Sequence, residues 1–379
     1  MPSVIPTTPN DDDTMDVNLA AAELLTSKIK GQTLHLPNMR ELFPGWTKAV
    51  NPLLDELTAW FEEEMEKLFP DAKVRAKIRK SDFPSFVCLT FPTSPLPRLQ
   101  TITYFALWSC LWDDEMESSN TQTLCHRELE YVRHLLGFSY VHPSKRSSVV
   151  VPQPPTKPSR LFAEPARVLR ETWSEQQLKR FMGEMELYIG ACAVEERYTG
   201  SGSGSGQKGG GMIILPGVEE YTGNRLGSSS GGAYFALAEF MIDVEIPQEI
   251  HDLEEMRIIW SELCRSVSWI NDLISLKKEI NSSLYSLIPI AMNETGGDLH
   301  TVVSEVLQEL ETCRERFESA AGDLLFRIMK EDAKVRNDVE RFIESCTIMV
   351  TGYTEWSLQS DRYGVKEYMQ EDGSFLIPL

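Results

Sequence analysis

Apolar residues recur at helical spacing through most of this chain, and almost nowhere do they alternate as a half-buried strand requires. Asn51–Phe69 places Leu53, Leu54, Leu57, Trp60, Phe61, Met65 and Leu68 at that spacing. Thr101–Met116 and Leu124–Leu136 continue the pattern, and Arg160–Arg197 reads as one long helix or two. Ile258–Glu279, Leu299–Met329 and Val335–Gln359 are further long helices. Val149-Val150-Val151 is a short exception, stopped by the prolines that follow it at 152, 154, 155 and 158. Helices this apolar each need several neighbours, so the expected fold is all-α, one large bundle in a single domain. The expected domain runs over 41–365, with loop insertions near 139–160 (rich in Pro and Ser) and 199–211, where the chain reads GSGSGSGQKGGG from Gly200. Residues 1–40 are expected to be disordered or loosely packed, and 366–379 to form a tail.

The chain carries 57 acidic against 37 basic side chains, a formal charge of −20. That balance excludes nucleic acid as a partner, since such binding needs Lys and Arg to neutralise phosphates. It also opposes an anionic membrane surface. A phosphorylated ligand would be repelled unless local cations or metal ions overcame the field. The seven cysteines are odd in number and never form a C-x-x-C pair, which fits a reducing interior better than disulfides or structural zinc. No secretory signal is visible. The apolar-rich run Ile102–Trp112 is too short for a bilayer, which takes about 20 apolar residues. The expectation is a cytoplasmic protein with no stable membrane insertion.

Three places put polar groups where a bundle helix should be apolar. Asp113-Asp114-Glu115-Met116-Glu117 ends a strongly hydrophobic run, and Asp113 and Glu117, four apart, share one helix face. Grouped carboxylates suit Mg²⁺, a hard cation held by one or two carboxylates plus water and phosphate. A solvated acidic helix end would have the same composition, and Asp11-Asp12-Asp13 repeats it with no helix to present it. In the second place, Asn271, Ser275 and Glu279 fall at i, i+4 and i+8 on an otherwise apolar helix. Such a row drifts only about 40° per step, so an amide oxygen, a hydroxyl and a carboxylate line up as a chelate for one divalent cation. A buried row of that kind must be satisfied, and a metal ion would do it. The third place is Trp356 to Tyr363, ending in Arg362-Tyr363, where the last helix stops. Arg225, 46 residues before Asn271, precedes a glycine-and-serine break at 227–232.

Taken together the set resembles the class I terpene synthases, and within them the microbial and especially fungal cyclases, most of all those that make sesquiterpenes. Asp113-Asp114-Glu115-Met116-Glu117 resembles their D-D-x-x-D/E motif, and Asn271, Asp272, Ser275, Lys278 and Glu279 match N-D-x-x-S-x-x-K-E at every specified position. Arg225 falls where the family has its pyrophosphate-sensing arginine, Arg362-Tyr363 on its C-terminal pair, and Trp356 on the tryptophan six residues before that arginine. The span from Asp113 to Asn271 is longer than is usual in the family, and the two insertions between the motifs account for the surplus. The third acidic position is Glu117 rather than Asp, which leaves its direct ligation open.

The resemblance implies an α-helical bundle around a central apolar cavity. It implies an isoprenyl diphosphate substrate bound with three Mg²⁺ ions, held by Asp113 and Glu117 on one side and by Asn271, Ser275 and Glu279 on the other. Arg225, Lys278, Arg362 and Tyr363 would bind the diphosphate, whose departure leaves a carbocation. Aromatic faces stabilise such a cation by about 0.5–2 kcal/mol each, and Trp356 and Trp108 are the candidates, with Phe86 behind them. The expected reaction is cyclisation of farnesyl diphosphate to a sesquiterpene hydrocarbon or alcohol by a monomer or homodimer. The alternatives are a diterpene cyclase using geranylgeranyl diphosphate, a chain-elongating prenyl synthase, or an inactive all-α scaffold. An elongating synthase would need a second aspartate-rich motif in place of Asn271–Glu279, and a scaffold would be expected to have lost a ligand.

Overall fold

In a computed structural model, the structure describes residues 22–116, 121–138, 152–199 and 215–379. Among these residues the fold is all-α apart from one two-stranded ribbon. After a short helix over 22–29, the chain forms α1 (Leu54–Leu68), α2 (Ala72–Arg79), α3 (Phe83–Thr90), α4 (Leu96–Met116), α5 (Thr121–Leu135), α6 (Ala163–Thr172) and α7 (Glu175–Thr199). There follow α8 (Val218–Ser228), α9 (Gly231–Ile242), α10 (Glu254–Glu279), α11 (Leu287–Thr295), α12 (Leu299–Arg327) and α13 (Ala333–Gln359), with a single turn at Gln248–His251 between α9 and α10. The 160–197 stretch is thus two α-helices, broken at Trp173-Ser174 and preceded by a 3₁₀ turn at Pro158–Phe162.

Local chemistry explains the ends. Asp82, Asp298 and Asp332 cap α3, α12 and α13 by accepting from the backbone N–H groups of Ser85, Thr301 and Lys334. The long helix α10 opens on Glu254 and Glu255 and closes on Lys277 and Lys278, each sign placed against the helix dipole. Its apolar face, with Ile259, Leu263, Ile270, Leu273 and Ile274, is buried in one continuous core shared with α4, α7, α9, α12 and α13. Helix α13 crosses α3 so closely that a Cβ at Gly352 would lie 2.3 Å from the Leu89 carbonyl oxygen, and only glycine permits that approach.

The ends of the chain correct the expected domain limits. Thr33–Leu36 (β1) pairs antiparallel with Phe375–Pro378 (β2), Thr33 opposite Pro378 and Leu36 opposite Phe375. Leu34, Leu36, Met39, Phe375 and Ile377 are buried in the main core. So 22–40 is not loosely packed, and 375–378 is not a free tail. Val149–Val151 and the glycine-rich run from Gly200 lie outside the described residues, while Ser159, at the end of the proline-rich insertion, is fully buried.

Candidate active site

Helices α3, α4, α7, α8, α9, α10 and α13 enclose a cavity of about 430 Å³. Its helical phase on α4 is set by Ser109, Cys110, Asp113 and Met116, which all line it. Asp114, one residue on, turns outward and pairs with Lys77 at 2.7 Å. Of the acidic run, Asp113 is therefore the carboxylate the described structure puts at the cavity, and Glu117 lies outside the described residues.

Across the cavity, α10 presents Asn271, Asp272, Lys278 and Glu279. Ser275 sits between them with no exposure at all, and its hydroxyl acts on the Glu279 carboxyl one turn on, without a hydrogen bond of full geometry. Burial pushes the Glu279 carboxyl above its ordinary pKa and the charge of Asp272 adds to this, while Arg225 and Lys278 work against it. Amide, hydroxyl and carboxylate oxygens in one row are a hard-donor set that fits Mg²⁺, and a cation there would occupy the lone pairs of the buried Ser275 oxygen. Among the described residues no three His, Cys, Asp or Glu side chains cluster closely enough to hold a metal on their own. Two members of the α10 row are Asn and Ser, and its facing carboxylate belongs to another helix, so that outcome follows from the arrangement.

Arg225, near the end of α8, lies against α10. Its Nη2 donates to Asn271 Oδ1 at 2.7 Å and to Asp272 Oδ1 at 3.0 Å, and its Nε to the same carboxylate oxygen at 3.2 Å. Burial disfavours the guanidinium charge, yet Asp272, Tyr221, Glu195 and Glu279 outweigh it and hold the Arg225 pKa well above its ordinary value. Asp272 is 1% exposed and also accepts from the Tyr221 hydroxyl at 2.7 Å and the Leu287 N–H at 3.3 Å. After Arg225 the helix stops: Ser230 takes a left-handed φ of 58°, and α9 starts at Gly231. A Cβ at Gly227 would meet the Ala191 Cβ at 2.9 Å, so the glycine lets this end of α8 lie directly on α7. From α7, Glu195 accepts a hydrogen bond from Ser228 at the break.

The end of α13 supplies the remaining wall. Asn271 Nδ2 donates to the hydroxyls of Tyr353 (2.8 Å) and Tyr363 (3.0 Å), and Arg362 lines the cavity with Nη1 3.4 Å from Ser81 Oγ. Trp356 also lines it, its ring 4.9 Å from Phe86 and its indole N–H donating to the Ser81 carbonyl at 2.7 Å. The structure thus brings Asp113, Arg225, Asn271, Lys278, Glu279, Trp356, Arg362 and Tyr363 to one cavity, with Ser275 buried in the α10 row. Trp108 does not join them. It is wholly buried against Trp112, Phe105 and Phe162, and its N–H donates to Glu128 at 2.9 Å. Five residues from Asp113 is about 140° round the helix, which aims Trp108 away from the face Asp113 shares with Ser109.

The sequence reading missed Asp272 as the anchor of Arg225, and it missed Tyr221, Glu195, Tyr353, Tyr234 and Ser109. Asp272 stood inside a quoted motif, and Tyr353 lies three residues before Trp356 on the same helix face, so both carried a signal. Ser109 and Tyr221 each lie four residues before a predicted site residue, Asp113 and Arg225, and share its helix face, while Glu195 and Tyr234 carry no signal without the tertiary contacts.

The model of terpene synthase family 2, C-terminal metal binding, matches residues 104–316, more than half of the chain. The chain belongs to that family. The match takes in Asp113, Arg225 and the whole Asn271–Glu279 row, but ends before Arg362. The chain is 28% identical over 366 residues to the sesquiterpene cyclase hepA of Aspergillus oryzae, covering 94% of this chain and 95% of that one. It is 22% identical to the terpene cyclase braA of Annulohypoxylon truncatum, with 94% and 92% covered. In fold it is similar to germacradien-4-ol synthase from Streptomyces citricolor, with a TM-score of 0.68 at 18% identity over 85% of this chain and 99% of that one. The protein is a terpene synthase, a lyase acting on isoprenyl diphosphates, and use of a divalent metal comes with the family. Among the described residues no helix is long and apolar enough to cross a membrane.

Proposed function

We propose that this synthase ionises and cyclises farnesyl diphosphate, with Mg²⁺ as its metal, to a sesquiterpene and inorganic diphosphate. The observation that carries the reading is the α10 row. Ser275, fully buried, lies between Asn271 and Glu279 on one helix face, and those two residues share the cavity with Asp113. Asn271, Ser275 and Glu279 would hold metal on one side and Asp113 on the other, with Glu117 as a further ligand and three ions in all. Mg²⁺, when bound, neutralises charge on the leaving diphosphate.

The remaining work belongs to the chain. Arg225, Lys278 and Arg362 donate charge-assisted hydrogen bonds to diphosphate oxygens, with Tyr363 adding a hydroxyl. They stabilise the leaving group, so the allylic C–O bond breaks without a protein nucleophile. Phe83, Phe86, Phe235, Met349 and Trp356 offer the resulting cation π faces and hydrocarbon in place of water. At about 430 Å³ the cavity sits at the small end of the roughly 300–1,000 Å³ usual for ligand pockets, which favours a fifteen-carbon over a twenty-carbon chain.

The test is incubation of the purified protein with C10, C15 and C20 diphosphates and Mg²⁺, followed by analysis of volatiles. The C15 substrate should give the highest kcat/KM, and chelation of the metal should abolish turnover. Equal turnover after chelation, or no product from any chain length, would refute the reading.

A further inference from the structure

Below its charged end the cavity wall is largely aromatic and aliphatic, and Ser109 and Tyr234 bring a pair of touching hydroxyls to it. Ser109 lies one turn before Asp113, about 6 Å along the axis of α4, and its Oγ is 3.1 Å from the hydroxyl of Tyr234 on α9. Both residues line the cavity. Tyr234 is fixed from two sides, by the edge-on rings of Phe86 at 5.5 Å and Phe105 at 4.9 Å. Ser109 is held by its own hydrogen bond to the Ala106 carbonyl at 3.1 Å, and Tyr188 reaches the Ser109 carbonyl at 3.4 Å.

Either hydroxyl can donate the bond between the pair, and when Ser109 gives its hydrogen to the Ala106 carbonyl the donor is Tyr234. In that arrangement the two adjacent oxygens act as acceptors and neither has a hydrogen left to give. Thr90 and Ser230, which also line the cavity, are turned into their own backbone: Thr90 donates to the Phe86 carbonyl and Ser230 to that of Ser229.

We infer that Ser109 and Tyr234 form a water site inside the hydrocarbon part of the cavity, and that this water captures the cyclised cation to give a terpene alcohol. The inference rests on the cyclase reading above and decides between its two product classes. A buried water needs two to four polar partners, and this pair supplies two acceptors. A water that gives both hydrogens to them points its own lone pairs back into the cavity, toward the cation. Its oxygen forms the new C–O bond, one of its O–H bonds breaks, and the proton ends on the diphosphate released in the same turnover. Both hydroxyls hold the water and form no bond to the cation, so they act as positioning residues.

The experiment is turnover of farnesyl diphosphate with Mg²⁺ in ¹⁸O-labelled water, reading the ratio of terpene alcohol to hydrocarbon and the label in the alcohol. Wild type should release chiefly an alcohol carrying ¹⁸O. Tyr234→Phe keeps the ring packing and removes the acceptor, and should lower the ratio by about tenfold, the worth of one hydrogen bond to the captured water. Ser109→Ala, a change that suits a helix interior, should move the ratio the same way. Because the readout is a partition within one reaction, a change in total rate does not affect it. A wild type that makes only hydrocarbon, or an alcohol fraction unmoved in both variants, would overturn the inference and leave the cyclase reading intact. No product from any diphosphate would remove both.

Discussion

Asp272→Asn isolates what the buried anchor does for Arg225. In the wild type this carboxylate, 1% exposed, receives both Arg225 contacts on Oδ1 and those of Tyr221 and Leu287 on Oδ2, while the Arg225 side chain is itself only 17% exposed. Asparagine preserves the volume. It can still accept from Arg225 through its oxygen, but it turns an NH₂ group toward the Leu287 N–H, which is also a donor. One backbone bond is lost, and a buried guanidinium loses its counter-charge. Removing one partner of a buried ion pair costs about 3–5 kcal/mol, and the amide oxygen recovers part of that, so about 3 kcal/mol is expected. Urea unfolding should show it as a lower midpoint at unchanged slope. Pairing the change with Arg225→Met should return at least about 2 kcal/mol of coupling, since the two side chains touch. An Arg225 mis-aimed by an ångström should also lower kcat/KM by about 100-fold. A loss below about 1 kcal/mol, with no coupling in the cycle, would mean that the pair is solvated and that Asp272 does not hold Arg225.

Replacing Asn271, Ser275 and Glu279 together by alanine should raise the Mg²⁺ concentration needed for half-maximal diphosphate release by more than about tenfold, on the scale of losing several oxygen ligands. Trp108→Phe should reduce stability by about 1–2 kcal/mol through its lost bond to Glu128 and leave product ratios unchanged, whereas Trp356→Phe should alter them; unfolding curves and volatile profiles separate the two. Burial pushes the Glu128 carboxyl up to about 7, although Ser159 and Trp108 donate to it. Its folded state therefore holds a proton that the unfolded chain releases near the ordinary 4.5. The stability it contributes is full below that value, is lost as pH rises toward 7, and amounts to about 3 kcal/mol. Glu128→Gln should remove this slope, so unfolding at pH 5 and pH 8 should differ less in the variant than in wild type. Finally, inorganic diphosphate should tighten Mn²⁺ binding, read by magnetic resonance, by about 5- to 150-fold, and the metal should tighten diphosphate binding equally.

The parts of the site that one helix carries were legible in the sequence. Asn271, Ser275 and Glu279 share a face because of helical geometry alone, and Asp113 follows from the same rule. What crosses between helices was not. Asp272 acquires its role from Tyr221 on α8 and from the backbone of α11, and nothing in its own neighbourhood announces either. Trp108 misled because distance along a helix was counted without phase: four residues from Asp113 reaches the cavity at Ser109, and five reaches the opposite core. The 22–40 segment read as loose because a four-residue strand such as Thr33–Leu36 has no pattern of its own, and its partner Phe375–Pro378 stands at the far end of the chain. Helices of eight residues, such as α2 and α3, are likewise too short for periodicity to declare, although α3 contributes Phe83 and Phe86 to the cavity.

The charge of −20 bears on how such a site can work at all. Asn271 Oδ1, an oxygen proposed to ligate metal, accepts from Arg225 Nη2 at 2.7 Å, and a guanidinium that close repels a divalent cation arriving at the same atom. Arg225 is held in place by the acids around it, Asp272 above all, so metal alone gains little by displacing it. Diphosphate changes the balance, because it offers Arg225 a second anion and brings oxygens that complete the shell of any metal between Asp113 and the α10 row. On the proposed site each ligand by itself is expected to bind these acidic walls weakly, the anion because like charges face it and the cation because Arg225 stands at its ligand. Each removes the obstacle to the other. The acidic surplus that opposes a phosphorylated ligand would then, through the hold it keeps on Arg225, become a reason for metal and diphosphate to enter together.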